Sequence, residues 1–154
     1  MAEPIRTHSP RPKRGLYTLN ADGGVVADPG QSAGEGAIGA VLKDSDNEVV
    51  EATSKALGRV EDHHVAEFTA LLEGLKLAKL NGVEKIRVYL DSELVVNTVS
   101  GEWDLDPQHL RPLLDEARAL FGSFEDGKIV WVPREMNTEA DLLATSALPP
   151  KRER

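Results

Sequence analysis

Leu16-Tyr17-Thr18-Leu19-Asn20-Ala21-Asp22-Gly23-Gly24 is the stretch on which the fold turns. Tyr17 and Thr18 stand between leucines, and this β-favouring run predicts a strand over residues 15 to 22 that stops at the glycine pair. A carboxylate there projects from the tip of a strand, and the glycines beside it admit the close approach of another backbone. Five glycines and Pro29 make residues 23 to 36 a loop. Two apolar or alternating runs follow, 37 to 43 and 48 to 57. The turn formers Asp44-Ser45-Asp46-Asn47 separate them, so the first three strands are expected to form an antiparallel meander.

The period then changes. From 62 to 81, Val65, Phe68, Leu71, Leu72, Leu75 and Ala78 recur at i, i+3 and i+4, the spacing of an amphipathic helix that Asn81-Gly82 ends. Glu67 lies on the inward stripe, four residues before Leu71 and eight before Leu75. A lone carboxylate there costs several kcal/mol unless it is paired or bound to metal. The other reading is a wet acid favouring the helix dipole. Residues 85 to 90 form a strand reached by a short crossover, hence parallel to the first, and Asp91 sits at its C-terminal end, where open α/β sheets present ligand-binding groups. Asp91 also precedes the helical run 92 to 100, so N-cap and metal ligand are both open to it.

Beyond Gly101 come Pro107 at a helix start and an amphipathic helix carrying Leu110, Leu113, Leu114, Ala117 and Leu120. Residues 128 to 133 are the last strand and 136 to 148 the last helix, capped by Asn137 or Thr138. Asp141 shares its inward stripe with Ala144, Thr145 and Leu148. The element order β β β α β α α β α describes a mixed α/β sheet with helices on its faces. If the first and fourth strands are neighbours, Asp22, Glu67, Asp91 and Asp141 meet at one edge. Carboxylates that close repel unless cations neutralise them, and oxygen-only ligands suit Mg²⁺ or Mn²⁺. A pair of such ions about 4 Å apart is a known device for in-line attack on a phosphodiester.

Composition limits these readings. The chain of 154 residues suits one domain with a proper core. Without cysteine it has neither disulfides nor a thiolate zinc site. No apolar run approaches the roughly 20 residues of a membrane span, and the N-terminus lacks the apolar core of a secretory signal, which places the chain in the cytoplasm and off the membrane. The formal net charge of -8 divides unevenly: residues 1 to 14 carry +3 and 151 to 154 carry +2, leaving -13 on residues 15 to 150. The proline-containing residues 1 to 14 read as a disordered basic arm and 149 to 154 as a basic tail after the domain at 15 to 148.

The strand ending in Asp22-Gly23-Gly24 and the runs Val65-Ala66-Glu67-Phe68-Thr69-Ala70-Leu71, Leu90-Asp91-Ser92-Glu93-Leu94-Val95-Val96 and Pro133-Arg134-Glu135-Met136-Asn137-Thr138-Glu139-Ala140-Asp141 together resemble the type 1 ribonuclease H family, in its compact prokaryotic branch without a basic protrusion. The resemblance covers residues 15 to 148. It implies a ribonuclease H-like mixed five-stranded sheet, a three-strand antiparallel meander plus two parallel strands, with helices on both faces. It also implies two Mg²⁺ ions, with Mn²⁺ as a substitute, and endonucleolytic hydrolysis of the RNA strand of an RNA·DNA hybrid. Asp22, Glu67, Asp91 and Asp141 are carried over as the metal-binding catalytic acids, with Asp22 as the bridge between the ions. Gly23, His64, Glu93, Arg134 and Asn137 fall at substrate contacts.

Departures from the family pattern lie on those contacts. His63-His64 replaces a pair that is commonly two asparagines, and Glu93 stands where Gln is frequent. Asp104 and Asp106 occupy a segment that tends to carry lysines, the loop after the last strand has Arg134 and no His, and the glycine loop is long. For the two histidines the plain alternative is exposed residues opening a helix. Two other classes compete with the nuclease: a 3′ to 5′ exonuclease of the same fold, which usually places a second acid where Gly24 stands, and a non-catalytic nucleic-acid or protein-binding module that retains the fold.

Overall fold

The computed structural model describes residues 13–150, with the backbone alone for Lys13 and Arg14. The basic arm and the Lys151–Arg154 part of the tail fall outside or at the margin of the described residues. Five strands form one sheet: β1 (Lys13–Val26), β2 (Gly34–Lys43), β3 (Val49–Val60), β4 (Val83–Leu90) and β5 (Asp126–Trp131). Their spatial order is β3-β2-β1-β4-β5, with β1, β2 and β3 antiparallel and β1, β4 and β5 parallel, as expected. The helices are α1 (His63–Leu80), α2 (Glu93–Val99), α3 (Arg111–Gly122) and α4 (Thr138–Ala147). Short 3₁₀ turns at Gln108–Leu110 and Arg134–Met136 lead into α3 and α4, and Pro112, not Pro107, sits in the first turn of α3.

The first strand does not stop at the glycines. It continues to Val26, pairing Gly23 with Ile38, Gly24 with Ala37 and Val26 with Glu35, which shortens the expected loop to residues 27 to 33. The reason is the partner strand: β2 extends alongside and keeps satisfying the backbone groups of β1, so glycine costs entropy there without breaking the ladder. The backbone that approaches the glycines is the protein's own. A Cβ on Gly23 would overlap the Ala66 carbonyl and lie 2.8 Å from the Glu67 amide nitrogen. One on Gly39 would strike the Ala140 carbonyl and come within 2.6 Å of the Ala144 nitrogen. Residues 38 and 39 face opposite sides of β2, and Gly23 shares a face with its partner Ile38. These two contacts therefore set α1 on one face of the sheet and α4 on the other.

Helix α1 forms the centre of the core. Phe68, Leu71 and Leu75 are fully buried against Leu19, Ile38 and Leu42, and Ala66, Ala70 and Gly74 are buried as well, so far more than one stripe is covered. On the other face, α4 is pinned by Lys43 Nζ to Glu139 Oε1 at 2.6 Å and by the Ser54 hydroxyl donating to the Leu143 carbonyl at 2.5 Å. Among the described residues, no helix is long and apolar enough to cross a membrane.

Because backbone, and not a flexible side chain, meets the added atom, Gly39→Ala should lose about 2 kcal/mol of unfolding free energy, within the range for overpacking. Gly122→Ala, where nothing lies within 4 Å of the new Cβ, should change stability by less than about 1 kcal/mol. Urea melts of the two variants check the contrast.

Candidate active site

The β1–β4 ladder ends at the pair Asn20 and Tyr89, whereas β1 goes on with β2. Asp22 and Asp91 each follow two residues after that last pair. They therefore flank the same split in the sheet, at the carboxyl end of the parallel strands. Asp22, Glu67, Asp91 and Asp141 all line one open cavity of about 370 Å³, together with Gly23, Gly24, Val25, His63, Arg134, Ala144, Thr145 and Leu148. The convergence read from the sequence is thus present in the structure.

Each acid is held by a different device. Asp22 is carried by a strand paired on its β2 side, opposite Gly39. Glu67 is one turn into α1, its side chain 18% exposed, and its Oε1 faces His64 Nδ1 at 3.1 Å and accepts a hydrogen bond from the Ser92 hydroxyl at 3.0 Å. It lies inward and partnered, which decides between the two readings of this residue. The cap of α2 is Ser92, whose Oγ accepts from the Val95 amide, so the Asp91 carboxylate does not serve as the cap. Asp91 is 10% exposed, its main-chain carbonyl accepts from the Trp131 indole at 3.3 Å, and Arg134 Nε lies 3.9 Å from its Oδ2. Asp141 occupies the first turn of α4, its amide donating to the Asn137 carbonyl at 3.0 Å.

Asn137 is used differently from a helix cap. It stands at the N-cap position of α4 with no capping bond from its side chain. The residue is 1% exposed, its Oδ1 accepts from Asn20 Nδ2 and its Nδ2 donates to the Ala21 carbonyl, both at 2.9 Å. These bonds tie the start of α4 to β1 just before Asp22 and so set Asp141 beside it. Of the other expected contact residues, Gly23 is packed beneath α1, His64 leans on Glu67, Glu93 is exposed in the first turn of α2 outside the cavity lining, and the Arg134 side chain is 82% exposed at its rim. Reading the sequence missed Ser92, Asn20 and Trp131 as supports. The Ser92 cap was signalled by its place three residues before Val95, but its second bond, across to α1, had no local signal.

The electrostatics follow from the crowding. Burial, then the negative charge of Asp91, then Asp141, push the Asp22 carboxyl up from 3.8 to about 8. Asp62, which caps α1 through the Val65 amide, is the opposite case. Burial raises its carboxyl, but that amide and the adjacent His109 outweigh burial and hold it below its ordinary value. An all-oxygen donor set with uncompensated charge fits Mg²⁺ or Mn²⁺, for which these four carboxylates are the available ligands.

Below pH 3.8 the folded and unfolded chains both protonate Asp22; between there and about pH 8 only the folded chain does. Its contribution to stability therefore falls as pH rises through that window. In chelator, Asp22→Asn should melt higher than the parent at pH 8.5, with the gap narrowing toward pH 5. Millimolar Mg²⁺ should raise the parent's midpoint at pH 8.5 more than at pH 5, where the proton competes for the site. Thermal melts of both proteins with and without Mg²⁺ measure this.

Residues 20–147 match the family described as Reverse transcriptase-like. The chain is 39% identical over 131 residues to the bifunctional protein Rv2228c of Mycobacterium tuberculosis, covering 84% of this chain and 35% of that protein. It is 35% identical over 127 residues to ribonuclease HI of Halobacterium salinarum, covering 82% and 61%. The chain thus spans between about a third and three-fifths of the length of these relatives. The solved N-terminal RNase H domain of Rv2228c superposes with a TM-score of 0.80 at 36% identity, over 87% of this chain and 94% of that one. LC11-RNase H1 in complex with RNA/DNA hybrid superposes with a TM-score of 0.75 at 25% identity, over 85% and 95%. A sheet of this order, a site at its split and these matches agree: the chain belongs to the Reverse transcriptase-like family of ribonuclease H-like domains and is a relative of the type 1 ribonucleases H.

Proposed function

We propose that the protein is an endonuclease that hydrolyses the RNA strand of RNA·DNA hybrids by two-metal-ion catalysis, with Mg²⁺ as the natural ion and Mn²⁺ as a substitute. The observation that carries this reading is the gathering of Asp22, Glu67, Asp91 and Asp141 around one cavity; burial first, and then Asp91 and Asp141, push the Asp22 carboxyl up to about 8. A binding module has no use for four mutually repelling acids, whereas a metal-dependent hydrolase needs them. The relation to ribonuclease HI and to a ribonuclease H1 solved in complex with RNA/DNA hybrid supports this substrate class.

Bound at these carboxylates, the ions would lower the pKa of a water and stabilise the leaving 3′ oxygen. The chain's own residues do the positioning. The Ser92 hydroxyl and His64 aim Glu67 into the cavity. Asn137 and Asn20 clamp α4 to β1, which keeps Asp141 beside Asp22. Asn137, wholly engaged inside the protein, is thus a positioning residue in this scheme. His64, Arg134 and the exposed Glu93 remain the groups offered to the nucleic acid, where selectivity would come from 2′-hydroxyl and shape recognition across the wide minor groove of the hybrid.

Asp22→Asn and Asp91→Asn should each lower Mg²⁺-dependent cleavage of a labelled hybrid by about a thousandfold, the upper scale for removing one preorganised charge-stabilising group, while single-stranded RNA and double-stranded DNA stay intact with the parent protein. Near-parental turnover in either variant, or stepwise release of mononucleotides from one end, would sink the endonuclease reading.

Asp104 and Asp106 are exposed between α2 and α3, where they repel phosphates. Replacing both with lysine should tighten binding of a non-cleavable hybrid and steepen its salt dependence by about 0.9 in log–log slope per phosphate gained, using the B-form value. Titrations at two salt concentrations decide this.

A further inference from the structure

The four-acid reading leaves unexplained a second set of ligand atoms at the same cavity. His63 and His64 open α1, and one ring nitrogen of each, with a carboxylate oxygen of Glu67, all lie within 4.8 Å of one another. His63 is exposed and lines the cavity, and His64 is half-buried with its Nδ1 3.1 Å from Glu67 Oε1. The two rings lie side by side, centroids 4.0 Å apart and tilted by 39°. A tetrahedral ion with bonds of about 2.0–2.2 Å keeps its ligands roughly 3.3–3.6 Å apart. The His64–Glu67 pair is already close to that spacing, and the exposed side chain of His63 closes the remainder by a rotamer change. Imidazole nitrogens select borderline transition ions over Mg²⁺, which keeps to oxygen.

We propose that His63, His64 and Glu67 form a transition-metal site, filled by Zn²⁺ or a similar ion, that is distinct from the four-carboxylate site but shares Glu67 with it. Two protein nitrogens and one oxygen leave a position open to water, the donor number of an exchangeable site and not a structural one. Coordination requires the His64 Nδ1 lone pair, so its proton moves to Nε2 and the His64–Glu67 hydrogen bond gives way to two metal bonds. Glu67 Oε1, which also accepts from the Ser92 hydroxyl, then serves the histidine-held ion. Resting on the hydrolase reading above, the consequence is inhibition: an ion held by the two histidines withdraws one of the four carboxylates from Mg²⁺.

The binding step is tested without reference to catalysis. The full chain, kept free of Mg²⁺ so that Glu67 is available, is titrated with Zn²⁺ by calorimetry and with Co²⁺ by visible absorption; no cysteine is present to contribute thiolate bands. One histidine-dependent site is expected, told apart from any binding at the acids by the histidine variants. His63→Gln alone and the double variant His63→Gln with His64→Gln should weaken it by at least about tenfold. His109→Gln, which removes a histidine engaged with Asp62, should leave it unchanged. Absence of a site in the parent, or Zn²⁺ affinity unaltered in the double variant, overturns the proposal. In hybrid cleavage with Mg²⁺, Zn²⁺ should inhibit the parent at concentrations that leave the double variant's residual activity unaffected, and equal inhibition of both overturns the regulatory role. A parent that binds Zn²⁺ through these histidines but cleaves no hybrid would refute the hydrolase reading and leave the metal site standing.

Discussion

Four carboxylates that repel one another have to be kept in one cavity, and the framework around them resists that repulsion first with backbone, which fixes the elements that carry them. Asp22 rides on a strand whose β2 partner continues past it, Asp91 follows directly on a strand paired on both sides, and Glu67, one turn into α1, and Asp141, in the first turn of α4, sit on helices pressed onto the sheet. At Gly23 and Gly39 the sheet and helix backbones touch with no Cβ between them. That closeness lets acids carried on or just after two strands face acids on two helices packed on opposite faces of the sheet.

The repulsion is also the source of function in the proposed scheme. A carboxyl raised to about 8 by burial and like charge stores unfavourable electrostatics that a divalent ion relieves, so affinity for the ion and weakness of the empty site have one cause. The hydrogen bonds around the cavity fall mainly on its helical members. Ser92 and His64 constrain Glu67, and Asn137 with Asn20 constrains the helix of Asp141. The strand-borne acids need less support because the ladder already fixes them. His64 stands at the junction of both arrangements, one bond from Glu67 and one residue from His63.

Residues 15 to 150, the cavity acids included, carry a formal net charge of -13, which repels a polyanion. The described cations near the site are few, Arg134 being the one that lines the cavity. In the proposed function, charge neutralisation of the substrate falls to bound ions and to the basic segments at either end of the sequence.

The sequence by itself determined the periods of the elements and the identity of the acids, because both are local properties. A strand, a turn at Asp44–Asn47 and an amphipathic helix are each legible within about ten residues, and an acid on an apolar stripe is conspicuous wherever it stands. The strand order and the four-acid cavity were reached from these and from the family resemblance. Tertiary structure alone decided the rest. Whether Gly23-Gly24 ended a strand depended on how far β2 ran beside it. Asn137 could not be told from a cap, since its true partners, Asn20 and Ala21, lie 117 and 116 residues away. Ser92 was passed over as a cap in favour of Asp91, and its donation to Glu67, 25 residues away, could not be read, whereas the approach of His63, His64 and Glu67 is set within α1 itself. Hydrogen bonds and close contacts between distant segments leave no periodic trace in the chain, because their geometry exists only after the helices and the sheet have packed.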